Sequence, residues 1–403
     1  MDRQPDLLTE AENVQERTVH LRRRLHRRPE LGLQLPETQA AILDEIDDLD
    51  LDVRTGTSVS SVIAVLEGAH PGPTYLLRAD MDGLPLSENT GLHFSSEIPG
   101  SMHACGHDTH VAMLAGAARL LSSKREDIAG RVVFMFQPGE EGFHGARHML
   151  EEGLLTTVPQ APVSGAFALH IDPSYSSGTV WTRGGAFLAS EDRIVITVSG
   201  LGGHASAPHQ AQDPIPAACE IVLALQTMIT RCVDVFDPAV ITIGMISGGT
   251  ADNIIPPDAT LRGTLRTLSA RTRAAVRERV RAVAMDIAAA HGLSAQVELE
   301  AGYPVTVNDA DVAATVRTVA TDLLGAQRVP VMEFPTMGSE DWSYVLEQVP
   351  GAMAFLGACP PELDPDTAPP CHSNLAIFDE AAFPTGIATY AAVALNALRP
   401  TPN

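Results

Sequence analysis

The stretch DRIVITVS at residues 192–199 alternates apolar and polar side chains, as a half-buried β-strand does. A helix is predicted directly after it over 213–232, with Asp213 as its N-cap and Pro214 in its first turn. Strands at 239–246 and 259–267, a helix at 270–291 and a strand at 295–301 complete the run. The order β-α-β-β-α-β is that of a ferredoxin-like unit, so this stretch predicts a small α+β domain.

On both sides of this stretch, predicted strands alternate with predicted helices, which is typical of an α/β layer with a largely parallel or mixed sheet. The strands are expected at 60–66, 74–79, 131–136, 165–170 and 352–357, and the helices at 12–27, 36–48, 109–122, 144–152, 308–325 and 380–398. The simplest organisation is one α/β domain over residues 1–181 and 298–403, interrupted by the small domain at 182–297.

The composition argues against several classes of function. The chain has 403 residues, of which 45% are hydrophobic, enough for a sizeable core and two or three domains. Asp and Glu number 50 against 27 Lys and Arg, which gives a formal charge of −23. Because an acidic surface repels phosphate backbones and anionic lipid, we expect no nucleic-acid partner and no membrane partner.

The rare residues narrow the chemistry further. Lys124 is the only lysine and falls in a predicted solvated loop, so it is a poor candidate for Schiff-base chemistry. The G-x-x-x-x-G-K phosphate loop is missing from the sequence. The five cysteines are odd in number and scattered, unlike a disulfide framework. The first residues show no apolar stretch typical of a signal peptide, so a cytoplasmic location is expected.

Reactive side chains are densest in MHACGHDTH, residues 102–110. Cys105 and His107 flank Gly106, so both side chains can turn towards one metal ion. A core cysteine beside a helix capped by Asp108 is the more usual explanation of such a segment. The pattern alone leaves both interpretations open.

Other candidates follow predicted strands. Glu140 and Glu141 come just after RVVFMF, while His170 ends GAFALH and Asp80 ends TYLLRA. Sites in open α/β sheets gather beyond the carboxyl ends of strands, so we expect these groups to share one edge of the sheet. Paired carboxylates in a loop are more often solvated surface, however, and His372 alone is more typical of an ordinary loop histidine.

Motifs of other hydrolases are missing from the sequence. It contains neither a G-x-S-x-G elbow nor an H-E-x-x-H helix. The glycine-rich SGLGGHASAPH at 199–209 lacks the G-x-G-x-x-G spacing. Neither a serine hydrolase of that type nor a dinucleotide-binding enzyme is therefore predicted.

Taken together, the motifs resemble those of the M20 metallopeptidase and aminoacylase family, in the branch of N-acyl-amino-acid amidohydrolases, hippurate hydrolases and auxin-conjugate hydrolases. The matching strings span nearly the whole chain: HRRPELG (26–32), LRADMDGLP (77–85), MHACGHD (102–108), QPGEEG (137–142), ALHI (168–171), SGLGGHASAPH (199–209), GGTADNIIPPDA (248–259), GTLRT (263–267), GSEDWSY (338–344) and CHSN (371–374). The resemblance implies a zinc-exopeptidase-like catalytic domain with a mixed sheet, plus an inserted ferredoxin-like dimerisation (lid) domain.

Site residues carry over from this resemblance one position at a time. It implies as metal ligands Cys105, His107, Glu141, His170 and His372. Glu140 falls on the general base, and Asp80 on an aspartate that orients a ligand from behind. His204 matches a histidine that reaches into a neighbouring active site, while Asn253 and Arg266 match residues near the substrate carboxylate.

The ligand set implied by the resemblance is consistent with two ions. Two tetrahedral ions need about eight ligand positions. Five side chains, one of them bridging, provide six positions, and a bridging water provides the other two; Cys105 is predicted as the bridging side chain. We therefore expect two divalent metal ions per subunit, with Zn, Co or Ni favoured by a thiolate with imidazoles and Mn as a further candidate.

Four further histidines close to these motifs in the sequence are not predicted to bind metal. His103, His110 and His148 are predicted to be structural. His144 stands where this branch of the family commonly has a small residue, so an extra imidazole is expected beside the pocket.

The expected function is hydrolysis of the amide bond of a small N-acyl amino acid by a homodimer or a dimer of dimers. A dipeptidase or an amino-acid-conjugate hydrolase on the same machinery is the close alternative. A metal-binding homologue without catalysis is a more distant one. The presence of Glu140 argues against it, since metal binding needs Glu141 but has no need of a base.

Overall fold

The computed structural model describes residues 7–158 and 161–400. The helices are α1 Leu7–Glu12, α2 Gln15–Arg27, α3 Pro36–Ile46, α4 His107–Ser122, α5 Gly145–Glu151, α6 Pro214–Cys232, α7 Ala270–Ala290, α8 Ala310–Leu324, α9 Ser343–Leu346 and α10 Phe383–Ala397. The strands are β1 Asp52–Thr55, β2 Val62–Glu67, β3 His70–Asp80, β4 Ala129–Gln137, β5 Val163–Ser176, β6 Val180–Trp181, β7 Gly185–Leu188, β8 Ser190–Ser199, β9 Gly203–His204, β10 Ala239–Gly248, β11 Ile254–Ile255, β12 Asp258–Thr267, β13 Ser294–Ala301, β14 Thr306–Asn308 and β15 Gly351–Cys359.

The chain divides into two compact units. The second unit comprises Leu188–Thr306 and Pro335–Ser343, and the first comprises the described residues before, between and after these segments. The sequence predicted an insertion at 182–297. The structural unit differs by taking in Pro335–Ser343, which is distant along the chain and has no regular periodicity of its own.

The first unit is built on a mixed seven-stranded sheet, which confirms the predicted fold class. Its strand order is β1-β2-β4-β3-β5-β15-β6. The four central strands, β4, β3, β5 and β15, run parallel, whereas β1, β2 and β6 pair in the antiparallel sense. The carboxyl ends of the four central strands therefore meet at one edge of the sheet.

Two buried helices, α4 and α10, pack against each other over this sheet. A Cβ added at Gly386 would lie 2.3 Å from Met113 Sδ, and one added at Gly116 would lie 2.9 Å from Ile387 Cδ1. Both contact atoms are near the ends of flexible side chains, so an alanine at either position would require these side chains to shift. This packing holds the first residue of α4, His107, in the interior of the unit.

The second unit is a four-stranded antiparallel sheet in the order β10-β12-β8-β13, covered by α6 and α7. Element order and strand order are those of the predicted ferredoxin-like unit. α6 is long and apolar enough to cross a membrane by length and composition alone. It is amphipathic, however, and Ile221, Leu225 and Met228 pack in the core of this unit.

Most predicted elements are present, with differences at their ends. The predicted helix at 12–27 is α2, the short helix α1 before it was not predicted, and the predicted strand at 165–170 is the longer β5. Several strands of only two to four residues were not predicted, among them β1, β6, β9 and β11. Strands this short contain too few residues to show a period, and only pairing with a neighbour defines them.

The Tyr390 side chain offers a test of this packing. Its hydroxyl donates to Arg78 O at 2.7 Å and accepts from Leu169 N at 3.1 Å, so α10 is bonded to both β3 and β5. We expect Tyr390→Phe to lower the free energy of unfolding by about 1–3 kcal/mol, because two buried backbone groups lose their partner. Tyr75→Phe is the matched control, since the Tyr75 hydroxyl makes no hydrogen bond within residues 7–158 and 161–400. Urea unfolding curves that move equally for both variants would contradict this account.

Candidate metal centre

The register of the parallel strands places three predicted site segments at one edge of the sheet. Asp80, the last residue of β3, pairs with Gln137, the last residue of β4. Arg78 pairs with Ala168 on β5, so Asp80 and His170 lie at the same level two residues further on. Glu140 and Glu141 follow β4 directly. The expectation that these groups share one edge is therefore met for the residues of β3, β4 and β5.

The turn before α4 brings in the next two candidates. Gly106 has φ +80°, and a Cβ added there would lie 2.4 Å from Ile171 Cγ2. Only glycine fits this turn without strain or a clash. The turn lets Cys105 and His107 face the sheet edge from either side of Gly106, as the C-x-H spacing predicted.

The predicted ligands form two groups that share one sulfur. Ligand atoms of Cys105, His107 and His170 all lie within 4.8 Å of one another, and so do those of Cys105, Glu141 and His372. Cys105 Sγ lies 3.4 Å from His170 Nε2. The geometry thus brings together all five side chains named as ligands, with Cys105 common to both groups.

The two outer histidines are positioned by backbone contacts. His170 Nδ1 is bonded to Ile171 O at 2.6 Å, so the other ring nitrogen faces Cys105. His372 adopts φ +68°, which is uncommon for a residue with a side chain. Its backbone N–H donates to Ala104 O at 2.9 Å, and its Nε2 lies 3.2 Å from Glu141 Oε1.

A functional residue that sequence reasoning missed is Asp82. Its Oδ1 accepts from Glu140 N and its Oδ2 from Glu141 N, both at 3.0 Å. The same Oδ1 lies 3.3 Å from His107 Nδ1. Asp82 thus holds the backbone of the predicted base and the ring of a predicted ligand. The sequence did contain a signal for Asp82, because this residue belongs to the same LRADMDGLP string as Asp80.

Asp80 sits on the other side of the His107 ring. Its Oδ2 lies 3.4 Å from His107 Nε2 and 2.8 Å from Arg78 Nη1. Its Oδ1 is bonded to His110 Nδ1 at 2.5 Å, while His110 Nε2 accepts from Ile171 N at 2.7 Å. His110 thus links Asp80 to the strand that carries His170, which suits the structural role predicted for it.

The other three histidines lie in different surroundings. His103 is 1% exposed, and burial lowers its pKa to about 4. His148 lies within α5. His144 follows β4 and has φ +57°, and its Nδ1 is 2.9 Å from the hydroxyl of Tyr344 on α9.

The electrostatics of the cluster favour a cation. Burial by itself would lower the pKa of His107, but the negative charges of Asp80, Asp82 and Glu141 prevail and raise it to about 10. Conversely, a hydrogen bond with Cys371, burial and the charge of Glu141 raise the pKa of the Cys105 thiol well above its usual range. The carboxylates that stabilise a charged imidazole would equally attract a divalent cation.

The donor set fits transition-metal ions. One thiol, three imidazoles and one carboxylate form two donor groups, and within each group the ligand atoms lie within 4.8 Å of one another. Thiolate and imidazole donors suit Zn, Co and Ni, and imidazole with carboxylate also suits Mn. The second contacts of His107 and His170, to Asp82 and to a backbone carbonyl, are those expected of metal-bound histidines.

The remaining predicted site residues lie in the second unit. His204 on β9 pairs with Ile254 on β11, and Ala205 N donates to Asn253 O, so His204 and Asn253 are neighbours. Arg266 lies on β12, where Nη1 donates to Met337 O at 2.8 Å and Nη2 is 3.4 Å from Glu191 Oε2. Arg266 is therefore on a different sheet from His204 and already has an acidic partner.

Comparison with known proteins agrees with the motif pattern. Residues 76–396 match the family described as Peptidase family M20/M25/M40. The chain is 37% identical to "Thermostable carboxypeptidase 1" of Saccharolobus solfataricus, over 89% of this chain and 90% of that protein. It is 38% identical to "N-acetyldiaminopimelate deacetylase" of Geobacillus sp., over 85% and 90%. The crystal structure of the Bacillus subtilis YXEP protein, titled a dinuclear metal binding peptidase from M20 family, superimposes with a TM-score of 0.83 at 33% identity, over 96% of this chain and 99% of that one.

Asp82→Asn tests whether this carboxylate organises the metal centre. Each Asp82 oxygen accepts a different backbone N–H, so an amide would present an NH₂ group to one of these donors. We expect the affinity for Zn²⁺ or Mn²⁺ to fall by roughly 10–100-fold, as for other residues that orient metal ligands. Isothermal titration of the metal-free protein measures this change.

Asp309→Asn is the matched control. A single oxygen, Asp309 Oδ1, accepts from both Asp311 N and Val312 N at the start of α8, and asparagine can keep both bonds. Unchanged metal affinity in Asp82→Asn, or an equal loss in Asp309→Asn, would contradict the role given to Asp82.

Proposed function

We propose that this chain, which belongs to Peptidase family M20/M25/M40, is a dinuclear-metal amidohydrolase that cleaves N-acyl amino acids into a carboxylate and a free amino acid. The observation that carries the proposal is the pair of donor groups sharing Cys105, with the Glu140 carboxylate close to Glu141 and His107. The proposed ligands are Cys105, His107, Glu141, His170 and His372.

Divalent ions at such a centre supply Lewis acidity, which acidifies water and polarises an amide carbonyl. The protein supplies the proton transfers. Glu140 is only 6% exposed, and Asp82 holds its backbone N–H, so its carboxylate has a defined place beside the donor cluster. It would take a proton from water as the carbonyl carbon is attacked and return that proton to the departing amine.

The adjacent glutamates would then have different roles. Glu141 Oε1 lies 3.2 Å from His372 Nε2 and 3.9 Å from His107 Nε2, which places it between two imidazoles. Contacts with His372 and His107 outweigh burial and lower the pKa of Glu141, as suits a charged ligand. Glu140 is therefore the residue that we propose as the general acid–base catalyst.

We further propose that the protein is a homodimer, or a dimer of dimers, joined through the second unit. β10 is an edge strand of that sheet, and Met245 and Ile246 on it are 61% and 58% exposed. Phe236, just before this strand, is 93% exposed. An exposed apolar edge strand favours pairing with a second copy, since its backbone N–H and C=O groups otherwise lack strand partners.

Within such a dimer, we propose that His204 completes the active site of the partner subunit by stabilising the oxyanion. Asn253 and Arg266 would lie near the substrate carboxylate.

A peptidase is the second candidate, because one close relative is named a carboxypeptidase. Hydrolysis assays separate the two. Chelator-treated protein reconstituted with Zn, Mn, Co or Ni is given a panel of N-acyl amino acids and a panel of dipeptides. We expect the N-acyl amino acids to have the higher kcat/KM. Preference for dipeptides would favour a peptidase, and the absence of hydrolysis with any metal would overturn both proposed activities.

For either activity, we propose a cytoplasmic location.

Metal removal is the most direct test of the centre. We expect about two ions per subunit by elemental analysis, loss of hydrolysis with a chelator and recovery with Zn, Co or Mn. Hydrolysis at the full rate by metal-free protein would contradict the proposal.

The two glutamates are separated by paired amide substitutions. Glu140→Gln should keep both ions and lose roughly 10²–10⁴ in kcat, the usual contribution of general acid–base catalysis. Glu141→Gln should lose an ion as well as activity, because an amide is a weaker ligand. Metal content and kcat are measured on the same preparations, and near-normal turnover of Glu140→Gln would show that another residue is the base.

Mixed dimers test whether His204 acts on the partner's site. His204→Ala and Glu140→Ala should each be nearly inactive, but a mixed dimer has one site with both residues intact. Refolding the two variants together should restore about a quarter of wild-type activity, since half of the dimers are mixed and each has one intact site of two. If subunits exchange without any recovery, His204 acts within its own chain or has no part in the reaction.

A further inference from the structure

The two loops that carry Cys105 and His372 lie side by side in the first unit. His372 N donates to Ala104 O at 2.9 Å, which ties the residue before Cys105 to the residue after Cys371. This bond makes the two cysteines neighbours on adjacent segments, although 266 positions separate them in the sequence. Adjacent segments of this kind provide the short backbone separation that a disulfide requires.

The two sulfurs lie beside consecutive residues of β5. Cys105 Sγ is 3.4 Å from His170 Nε2, and the Cys371 side chain raises the pKa of the Cys105 thiol. Cys371 Sγ is 3.8 Å from Ile171 O, next to the residue whose imidazole faces Cys105. Cys105 is buried, whereas Cys371 is partly exposed, so a small reagent in solution reaches Cys371 first.

The other cysteines lack this arrangement in the part of the chain that the structure describes. Cys359 is buried, and its sulfur lies 3.6 Å from Pro360 O and 3.6 Å from Leu363 O. Cys219 and Cys232 are exposed and lie on α6 in the second unit. Among the described residues, only Cys105 and Cys371 are two cysteines on adjacent segments beside the donor cluster.

We propose that Cys105 and Cys371 form a reversible disulfide when the protein carries no metal, so that oxidation by a peroxide blocks loading of the metal centre. The disulfide would remove from the centre the one sulfur that both donor groups share. It would also restrain the loop that carries His372. A loaded centre would resist oxidation, because Cys105 would then be engaged with the ions.

The chemistry needs one equivalent of hydrogen peroxide. Cys371 Sγ attacks the peroxide, the O–O bond breaks, and Cys371 sulfenic acid and one water are formed. Cys105 Sγ then attacks the Cys371 sulfur, the S–O bond breaks, and the hydroxyl group takes the proton of the Cys105 thiol and leaves as a second water. The two sulfurs lose two electrons and the peroxide gains them. Dithiothreitol reverses the reaction by thiol exchange.

The test compares full-length protein in metal-free and Zn-loaded form, each treated with one molar equivalent of hydrogen peroxide. In the metal-free form we expect free thiols to fall from five to three, since two of the five are consumed. The intact mass should fall by about 2 Da, and peptide mapping should find Cys105 linked to Cys371. The Zn-loaded form should keep its thiols. Zn binding by the oxidised protein should weaken by at least about tenfold and return with dithiothreitol.

Cys371→Ser and Cys359→Ser form the matched pair of variants. Cys371→Ser should bind Zn normally and lose both the mass change and the peroxide effect on Zn binding, while Cys359→Ser should respond as the wild type does. A linkage between other cysteines, no linkage, or equal oxidation of the Zn-loaded form would overturn the proposal. The effect on Zn binding rests on the proposed metal centre, whereas the thiol count and the peptide map do not. Failure of the proposed enzymatic activity would therefore leave the linkage test intact.

Discussion

The buried carboxylates of Asp80 and Asp82 and the partly buried carboxylate of Glu141 surround the imidazole of His107. The rest of the site depends on how their charge is balanced. Burying like charges together is costly unless cations or hydrogen-bond donors compensate for them. Arg78 does so for Asp80, and backbone N–H groups do so for Asp82. What remains is a strongly negative position at His107, where the pKa of an imidazole rises to about 10. A divalent cation fits the same position on electrostatic grounds.

The hydrophobic core makes that charge arrangement rigid. α4 is buried along most of its length and lies close to α10, so its first residue, His107, has little freedom to move. Tyr390 on α10 reaches the backbone of β3 and β5, the strands that carry Asp80 and His170. The apolar packing and the polar centre are thus parts of one structure, in which the core fixes the backbone and the backbone positions the donors.

Cys105 differs from the other predicted ligands because its thiol can be oxidised. A shared thiolate is a good bridging ligand for soft or borderline ions, yet a thiol beside a second thiol is also open to oxidation. The same contact geometry therefore supports two states, one in which the sulfur binds metal and one in which it binds Cys371. A carboxylate in its place would bind metal without this second reactivity.

The fold class and the candidate residues could be predicted from the sequence alone. Period-2 and period-3.6 patterns run over the long elements, and they sufficed for the mixed α/β sheet and the ferredoxin-like unit, because these periods are local properties of the chain. The motif strings likewise predicted Cys105, His107 and Glu141 as metal ligands.

Which side chains lie close together depends on how the elements pack in three dimensions. The register of β3 against β4 and β5 brings Asp80, Glu140 and His170 to one edge, and no local pattern encodes that register. The same holds for the two loops that carry Cys105 and Cys371, and for Asp82, whose partners lie 58 and 59 residues away. Contacts over such separations arise from packing and strand pairing in three dimensions, whereas the spacing of residues in a sequence reports only on their near neighbours.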